Sequence, residues 1–180
     1  MYKRQTFNKI KKIKNIKIVK QKKNGYGNAL IEGINATNTK YCCIINADGS
    51  MNPKYLKRML TLCEKKDLVF TSRYQKPGGG SEDDDIVTSI GNFLFTLFGN
   101  LFFNLNISDI LFTYILGKTK SFKKMKLSRH DFRICVELPI RAKRLKLEYV
   151  CIPSFERARI GGKKKVNPIK DGFLILTEMI

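Results

Sequence analysis

The sequence is poor in the residues that disulfide-rich and zinc-binding proteins need. It contains no tryptophan, a single histidine (His130) and five cysteines, an odd number without any C-x-x-C pair. This composition indicates neither a disulfide framework nor a Cys/His zinc site. A reducing compartment such as the cytoplasm fits it best.

Acidic residues are also scarce, because 15 Asp and Glu stand against 35 Lys and Arg and leave a net charge of +20. A surplus of this size attracts phosphate groups, whether they belong to nucleic acids, lipid head groups or nucleotides. The charge alone does not choose among these partners. The basic N-terminal segment is not followed by the apolar run of a secretory signal, which favours a cytoplasmic location.

The first part of the chain alternates between predicted strands and helices. The strands are predicted at 16–20, 41–45 and 67–72, and the helices at 28–37 and 53–63. Strand–helix–strand repeats with short connections favour an α/β fold with a mostly parallel sheet flanked by helices. Functional loops of such a sheet lie beyond the carboxyl ends of its strands, where Asp48 and Arg73 fall.

The second part is less regular. Strands are predicted at 112–116 and 147–152, and a helix at 137–146 is expected to start at Pro139. Residues 75–85 form a glycine-rich loop that ends in acidic residues, Asp83 among them. We expect this loop to be flexible and its run of charge to be solvated rather than to bind a metal.

Residues 86–108 contain no charged side chain and are long enough for a transmembrane helix. The pattern is amphipathic, however, because Asn92, Thr96, Asn100 and Asn104 recur at every fourth position opposite a wide apolar face. We therefore expect an amphipathic helix over 86–106. Two interpretations remain open: the helix lies in a membrane interface, or its apolar face packs on the sheet in the ordinary way.

Six segments follow one another in an order that is more specific than any single motif. They are 24–33 (NGYGNALIEG), 46–53 (NADGSMNP), 67–74 (DLVFTSRY), Ser108-Asp109, Glu137-Leu138 and 159–165 (RIGGKKK). This series resembles the family 2 glycosyltransferases, and within them the polyprenyl-phosphate branch, similar to dolichyl-phosphate mannose synthases. The resemblance implies a GT-A, Rossmann-like sheet that binds a nucleotide sugar, GDP- or UDP-hexose, and transfers the hexose to a lipid phosphate acceptor.

The resemblance also implies a divalent cation, Mg²⁺ or Mn²⁺, at a D-x-D-like turn. Asp48 is the expected metal ligand, with Asn46 and Ser50 beside it. The family's first acid is replaced here by Asn46, whose amide oxygen still ligates a hard cation but carries no charge. We therefore expect a weakened affinity for the metal.

The same resemblance implies further contacts with donor and acceptor phosphates. The expected residues are Gly25, Gly27, Arg73, Arg159 and Lys165. An arginine suits this role because its guanidinium donates paired hydrogen bonds to a phosphate. For Arg73 the alternative is a surface salt bridge to the acidic loop.

Asp109 and Glu137 are the expected catalytic residues. An isolated carboxylate among apolar residues is costly to bury without a partner, so Asp109 is expected to be either functional or exposed. A phosphate acceptor is already anionic at neutral pH, so we expect Asp109 to orient the acceptor or the sugar rather than to take a proton. For Glu137 the alternative is stabilisation of a helix N-terminus.

Two turns of the family are missing: a P-x-x-N-E-like turn after a first strand and a D-D-x-S-like turn after a second. We therefore expect an N-terminally truncated, partial domain that lacks its first βαβ portion, with residues 1–5 as a leader that fits no family pattern. This 180-residue chain is then expected to bind nucleotide sugar poorly and to be inactive, whereas the full-length form is an enzyme.

Two other functions remain open: a non-catalytic fragment, or a basic module that binds nucleic acid or an anionic membrane. No RNP-like, helix-turn-helix or zinc pattern is present, and the aromatic residues lie in the apolar helix rather than between the basic ones. No specific nucleic-acid partner is therefore expected. The favoured interpretation is an enzyme that is peripheral on the cytoplasmic face of a membrane.

Overall fold

The computed structural model describes residues 10, 13–161 and 166–179. Its strands are β1 (Tyr41–Ile44), β2 (Leu68–Ser72), β3 (Gly80–Ser81), β4 (Ile115–Lys118), β5 (Tyr149–Pro153) and β6 (Phe155–Glu156). Its helices are α1 (Tyr26–Ala36), α2 (Leu56–Lys65), α3 (Ile86–Phe103), α4 (Thr119–Lys124), α5 (Ile134–Arg144) and α6 (Pro168–Met179). A 3₁₀ turn at Pro53–Tyr55 precedes α2.

The centre of the fold is a four-stranded sheet in the order β1-β4-β2-β5. β4 is antiparallel to both of its neighbours, whereas β2 and β5 are parallel. β1, β2 and β5 therefore run in one direction, and β4 is reversed between two of them. The expected α/β fold with a mostly parallel sheet and flanking helices is confirmed.

The strand β2 is buried along its whole length because apolar groups cover both faces of the sheet. Leu68 and Phe70 point into a cluster that includes Ile34 of α1. Val69 points to the other face and packs in the cluster of Met59 from α2. Successive side chains of a strand alternate between its faces, so a continuous apolar run is typical of a strand at the centre of a sheet. The carboxyl end of β2 is thereby brought into the interior.

Most predicted elements are present with shifted ends. The predicted helix at 28–37 corresponds to α1, and the one at 53–63 to the 3₁₀ turn and α2. The strand predicted at 112–116 begins instead at Ile115 and ends at Lys118, and the Tyr114 carbonyl just before it accepts the Thr71 N–H at 3.2 Å. The helix expected to start at Pro139 begins at Ile134 and contains Pro139 in its interior.

The prediction of a strand at 16–20 is wrong for the described part of the chain, where these residues join no sheet. A strand needs a neighbour for its backbone N–H and C=O groups. Among the described residues the sheet ends at β1 on one side and at β5 on the other. Residues 16–20 pair with neither of these edge strands and are exposed.

Helix α3 turns its polar stripe towards the protein. Asn92, Thr96 and Asn100 bond to main-chain groups of residues 107–111 at distances between 2.8 and 3.1 Å. Asn104 follows the helix in the left-handed conformation (φ 51°), which asparagine tolerates better than most residues, and ends it. The helix is thus attached to the fold by hydrogen bonds along its polar side.

The apolar face of α3 points away from the sheet. Its exposed side chains are Ile86, Val87, Ile90, Phe93, Leu94, Leu97, Leu101 and Phe102. Helix α6 lies beside α3 and adds exposed Ile169 and Phe173, and a groove of about 530 Å³ runs between the two helices. Packing of this face on the sheet, the second of the two interpretations above, is therefore wrong. By length and composition, α3 is apolar enough to cross a membrane.

The substitution Asn92→Leu tests whether the polar stripe attaches α3. It deprives the partly buried Leu111 N–H and a carboxylate oxygen of the buried Asp109 of a partner, so the free energy of unfolding should fall by about 2–4 kcal/mol. The matched control is Leu101→Gln on the exposed face, which should change it by less than about 0.5 kcal/mol. Urea unfolding followed by circular dichroism measures both. Equal losses in the two variants contradict this orientation of the helix.

Candidate functional site

A tight turn after β1 places a partly exposed carboxylate at the edge of the sheet. The backbone N–H and the hydroxyl of Ser50 donate to Oδ1 of Asp48 at 3.1 and 2.9 Å. Gly49 has a φ of +84°, a conformation that a side chain disfavours, and a Cβ there would collide with Ile160. The Asp48 side chain remains 21% exposed, so Oδ2 lies at the surface of the turn.

Asn46 lies two residues before Asp48, just after the end of β1, and its amide is held by a tyrosine. The Tyr26 hydroxyl donates to Oδ1 of Asn46 at 3.3 Å and also contacts the Thr113 hydroxyl. Burial raises the pKa of Tyr26 far above its usual value, and the nearby Asp48 charge adds to the effect. Tyr26 therefore stays a neutral donor that orients the amide.

The segment that follows β6 runs along the same turn. The backbone N–H of Arg157 donates to the Ser50 carbonyl at 3.0 Å, and that of Ile160 donates to the Asp48 carbonyl at 2.8 Å. These bonds bring Arg159 to the turn, with Nη1 at 4.0 Å from Oδ2 of Asp48. The three predicted metal-site residues, Asp48, Asn46 and Ser50, thus lie in one turn, and one predicted phosphate contact, Arg159, lies beside Asp48.

The acidic loop is tied to this segment. β3 pairs in parallel with β6, and the hydroxyl of Ser81 accepts the N–H groups of Asp83 and Asp84 at 3.1 and 3.0 Å. Asp83 receives Nε and Nη2 of Arg159 at 2.9 and 2.6 Å, and this pairing raises the pKa of Arg159. The side chains of Asp83 and Asp84 are only 13% and 6% exposed, so the expectation of a solvated charge run is wrong for these two residues. Glu82 and Asp85 are exposed, as expected.

Arg73 is buried beneath the acidic loop and pairs with three carboxylates. Its Nε and Nη2 donate to Asp109 at 2.8 and 3.0 Å, and Nη1 lies 3.2 Å from both Glu156 and Asp84. The guanidinium also lies 4.7 Å from the ring centre of Phe112. Burial by itself lowers the pKa of Arg73, but the carboxylates outweigh it and raise the pKa above its usual value.

Asp109 is enclosed by its partners and is 2% exposed. Besides the Arg73 side chain, it accepts the Arg73 N–H at 3.0 Å and Nδ2 of Asn92 at 2.9 Å. A phosphate contact through Arg73 and a catalytic role for Asp109 both require access to a ligand. In this structure neither side chain is open to a ligand, and each is bound to protein groups.

Glu137 is likewise bound to protein groups. Its carboxylate accepts the N–H and hydroxyl of Ser128 and the N–H of Arg129 at 2.9–3.1 Å, which holds residues 128–130 in place. That segment lies on the N-terminus of α1, where a Cβ at Gly25 or Gly27 would collide with its main chain. The two glycines therefore permit this close packing rather than face an open site.

The predicted contact at Lys165 lies outside the described residues. Two residues that hold this site were not predicted from the sequence. They are Tyr26, which contacts Asn46, and Asp83, which pairs with Arg159 and was expected in a solvated loop. The signal for Tyr26 was its place inside the N-G-Y-G-N run, and the signal for Asp83 was its place in the charge run. Neither signal indicates a partner.

A family model supports the resemblance seen in the sequence. The model of glycosyl transferase family 2 matches residues 4–126, which is more than half of the chain. No curated protein matches the chain.

Solved structures show the same fold at low sequence identity. A mycobacterial protein superposes with a TM-score of 0.64 and 13% identity, over 92% of this chain and 52% of that one. Glucosyl-3-phosphoglycerate synthase from Mycobacterium tuberculosis, in complex with UDP, gives 0.60 and 16% over 87% and 54%. The same synthase with Mn²⁺, UDP and phosphoglyceric acid gives 0.61 and 14% over 87% and 53%. The chain thus spans about half the length of these structures.

The substitution Arg73→Met tests the buried ion cluster. It leaves Asp109, Glu156 and Asp84 without their shared cation, so the free energy of unfolding should fall by about 3–5 kcal/mol at neutral pH. Arg157→Met, at an exposed arginine nearby, is the control and should have little effect. Urea unfolding at a series of pH values measures both.

The pH dependence of this loss has a definite sign. Burial already holds the pKa of Glu156 above its usual value. The protonated carboxyl therefore favours the folded state at low pH, and this contribution to the free energy of unfolding is lost as the pH rises through the raised pKa. Without Arg73 the pKa of Glu156 rises further. The loss of unfolding free energy in the Arg73→Met variant should therefore shrink as the pH falls towards about 5. A deficit that is constant across this range contradicts a cluster of buried charges.

Proposed function

The chain belongs to glycosyl transferase family 2, and on that premise we propose that it carries the diphosphate and metal site of an enzyme that moves a hexose from GDP- or UDP-hexose to a lipid phosphate. The observation that carries this proposal is the convergence of Asp48, Asn46 and Arg159 on one turn. Two oxygen ligands and one guanidinium at a sheet edge suit a cation together with the diphosphate it binds.

The chemistry of the donor set fits Mg²⁺ or Mn²⁺. These hard cations use few protein ligands at a nucleotide site, typically one or two carboxylates, and complete their shell with water and phosphate oxygens. Oδ2 of Asp48 and Oδ1 of Asn46 would hold the ion. When bound, the ion supplies positive charge that stabilises the diphosphate as it leaves.

Arg159 supplies the second positive charge at this site. In the reaction we propose, the bond between the anomeric carbon and the diphosphate oxygen breaks, and an acceptor oxygen bonds to that carbon. The diphosphate departs with the electron pair of the broken bond. A fixed guanidinium beside Asp48 stabilises the negative charge that develops there.

The enclosed positions of Asp109 and Glu137 favour a phosphate acceptor over a neutral hydroxyl. A hydroxyl requires a general base within hydrogen-bond reach of its proton. A phosphate monoester has a second pKa near about 6 and is already an anionic nucleophile at neutral pH. Both carboxylates are bound to other protein groups, and a phosphate acceptor needs neither of them as a base.

The outward apolar face of α3 and α6 supports a lipid acceptor at a membrane surface. Cations lie near the end of α3: the guanidinium of Arg144 is 5.9 Å from the ring centre of Phe103, and Arg141 is on the same helix as Arg144. Apolar side chains beside cations are typical of interfacial helices that bind anionic lipid. We propose that this face rests on the cytoplasmic surface of a membrane and leads to the acceptor.

Binding of Mn²⁺ and UDP tests the donor half of the proposal. Mn²⁺ broadens nearby NMR signals even when it binds weakly, so MnCl₂ with UDP should broaden the amide signals of residues 46–50 and 157–160. Asp48→Ala should abolish the effect, since it removes the charged ligand. The control, Glu64→Gln at an exposed acid of α2, should leave it unchanged. If the wild-type chain shows no broadening with UDP or with GDP, the proposed donor site is wrong.

Vesicle binding tests the acceptor half. The chain should sediment with vesicles of phosphatidylcholine and phosphatidylglycerol, and salt should weaken the binding. Replacing exposed Phe93 and Leu101 together by serine should lower the partition coefficient by about tenfold or more, because two large apolar groups no longer enter the lipid. Leu60→Ser, at an exposed leucine of α2, is the control.

A second copy of the chain is the other occupant that this face could have. Sedimentation velocity without lipid distinguishes the two cases. A dimer that the Phe93/Leu101 double variant dissociates, together with no binding to vesicles, would overturn the membrane proposal.

A further inference from the structure

We propose that Asp83 is a positioning residue for the diphosphate site, because it holds one edge of the Arg159 guanidinium and so directs the remaining edge to the Asp48 turn. This inference rests on the function proposed above. It adds a residue of the acidic loop to the site and gives that residue a defined task.

The geometry of the guanidinium carries the inference. Nε and Nη2 of Arg159 bind the two carboxylate oxygens of Asp83 at 2.9 and 2.6 Å. A guanidinium is planar with its donors in a fixed arrangement, so a bidentate pair on this edge sets the direction of the third nitrogen. That nitrogen, Nη1, lies 4.0 Å from Oδ2 of Asp48 and so points to the Asp48 turn, where the proposed diphosphate binds.

The position of Asp83 is itself determined by the strand pair β3–β6. The Asp83 N–H donates to the Ser81 hydroxyl at 3.1 Å, and the Glu82 N–H donates to the Glu156 carbonyl at 3.0 Å. The Ala158 N–H donates to the Glu82 carboxylate at 3.0 Å. The loop that carries Asp83 is therefore tied by hydrogen bonds to the segment that carries Arg159, and the pair is already formed before the diphosphate binds.

Asp83 also keeps Arg159 from blocking the metal ligand. Nη1 is already at the limit of an ion-pair distance from Asp48. If Asp83 is lost, the Arg159 guanidinium is free to move onto the nearby carboxylate of Asp48. Asp48 is then a poorer ligand for a cation, because its charge is already paired. Loss of Asp83 should therefore weaken Mn²⁺ binding, but only while Arg159 is present.

A double-mutant cycle with Asp83→Asn and Arg159→Met tests this dependence. Mn²⁺ affinity is measured by electron paramagnetic resonance, which detects the free ion, with and without UDP. In the wild-type background Asp83→Asn should weaken Mn²⁺ binding by about tenfold, whereas in the Arg159→Met background the effect should fall to about twofold or less. Glu82→Gln removes a charge from the same loop but keeps an acceptor oxygen for the Ala158 N–H, and it should behave as wild type.

A second readout reports the orientation of Arg159 without any metal. The Nε–H signal of an arginine in a bidentate pair exchanges slowly with water, so it should be visible by NMR in the wild-type chain and in Glu82→Gln. It should disappear in Asp83→Asn.

The outcomes separate this inference from the function on which it rests. A wild-type chain that binds neither Mn²⁺ nor UDP overturns both. Normal binding with an equal loss for Asp83→Asn in both backgrounds shows that Asp83 acts on the ion directly, and it overturns the positioning role alone. Normal binding that Asp83→Asn leaves unchanged, with the Nε–H signal retained, overturns it as well.

Discussion

The buried ion cluster of Arg73 is the interaction on which the rest of the structure depends. One guanidinium at the end of β2 joins Asp109, Asp84 of the acidic loop and Glu156 of β6. Three carboxylates around one cation are tolerated because other donors share them, including the Ser81 hydroxyl and the Asn92 amide. The cluster therefore fixes the acidic loop and β6 to the sheet, and with them the segment that carries Arg159.

Within the described residues, sequence reasoning found α1, α2, α3 and α5 and the four strands of the central sheet, because these follow from local periodicity. The motifs in collinear order assigned both Asp48 and Arg159 to the donor site. It did not reach the pairing of Arg73 with Asp109, which lie 36 residues apart and whose partnership depends on how the chain returns to the sheet. The arginine and the carboxylate were each interpreted separately as a ligand-binding group. In a sequence, an arginine that binds a ligand cannot be told from one that forms a structural ion pair, and the same holds for a carboxylate. Only the folded arrangement shows that they satisfy one another.

Helix α3 shows a second limit of sequence reasoning. Its periodicity indicates one polar and one apolar face but not which of them packs on the rest of the protein. In most amphipathic helices the apolar face packs on the core. The reverse holds here because residues 107–111 offer main-chain N–H and C=O groups that need partners, and the polar stripe of α3 supplies them. The requirement to satisfy buried backbone groups thus sends the apolar face outward, where a lipid surface suits it better than water does.

The outward helix and the candidate diphosphate site are joined by a short piece of chain. Asp85 caps α3 by accepting the Thr88 N–H at 2.8 Å, and Asp83, the partner of Arg159, lies two residues earlier. Three residues of extended chain span at most about 11 Å, so Asp83 and the first apolar residue of the helix, Ile86, are never farther apart than that. If the helix lies in a membrane interface, as proposed above, the site is held at the depth of the lipid head groups, where the proposed acceptor phosphate would lie. One loop then sets both the orientation of Arg159 and the distance of the site from the membrane.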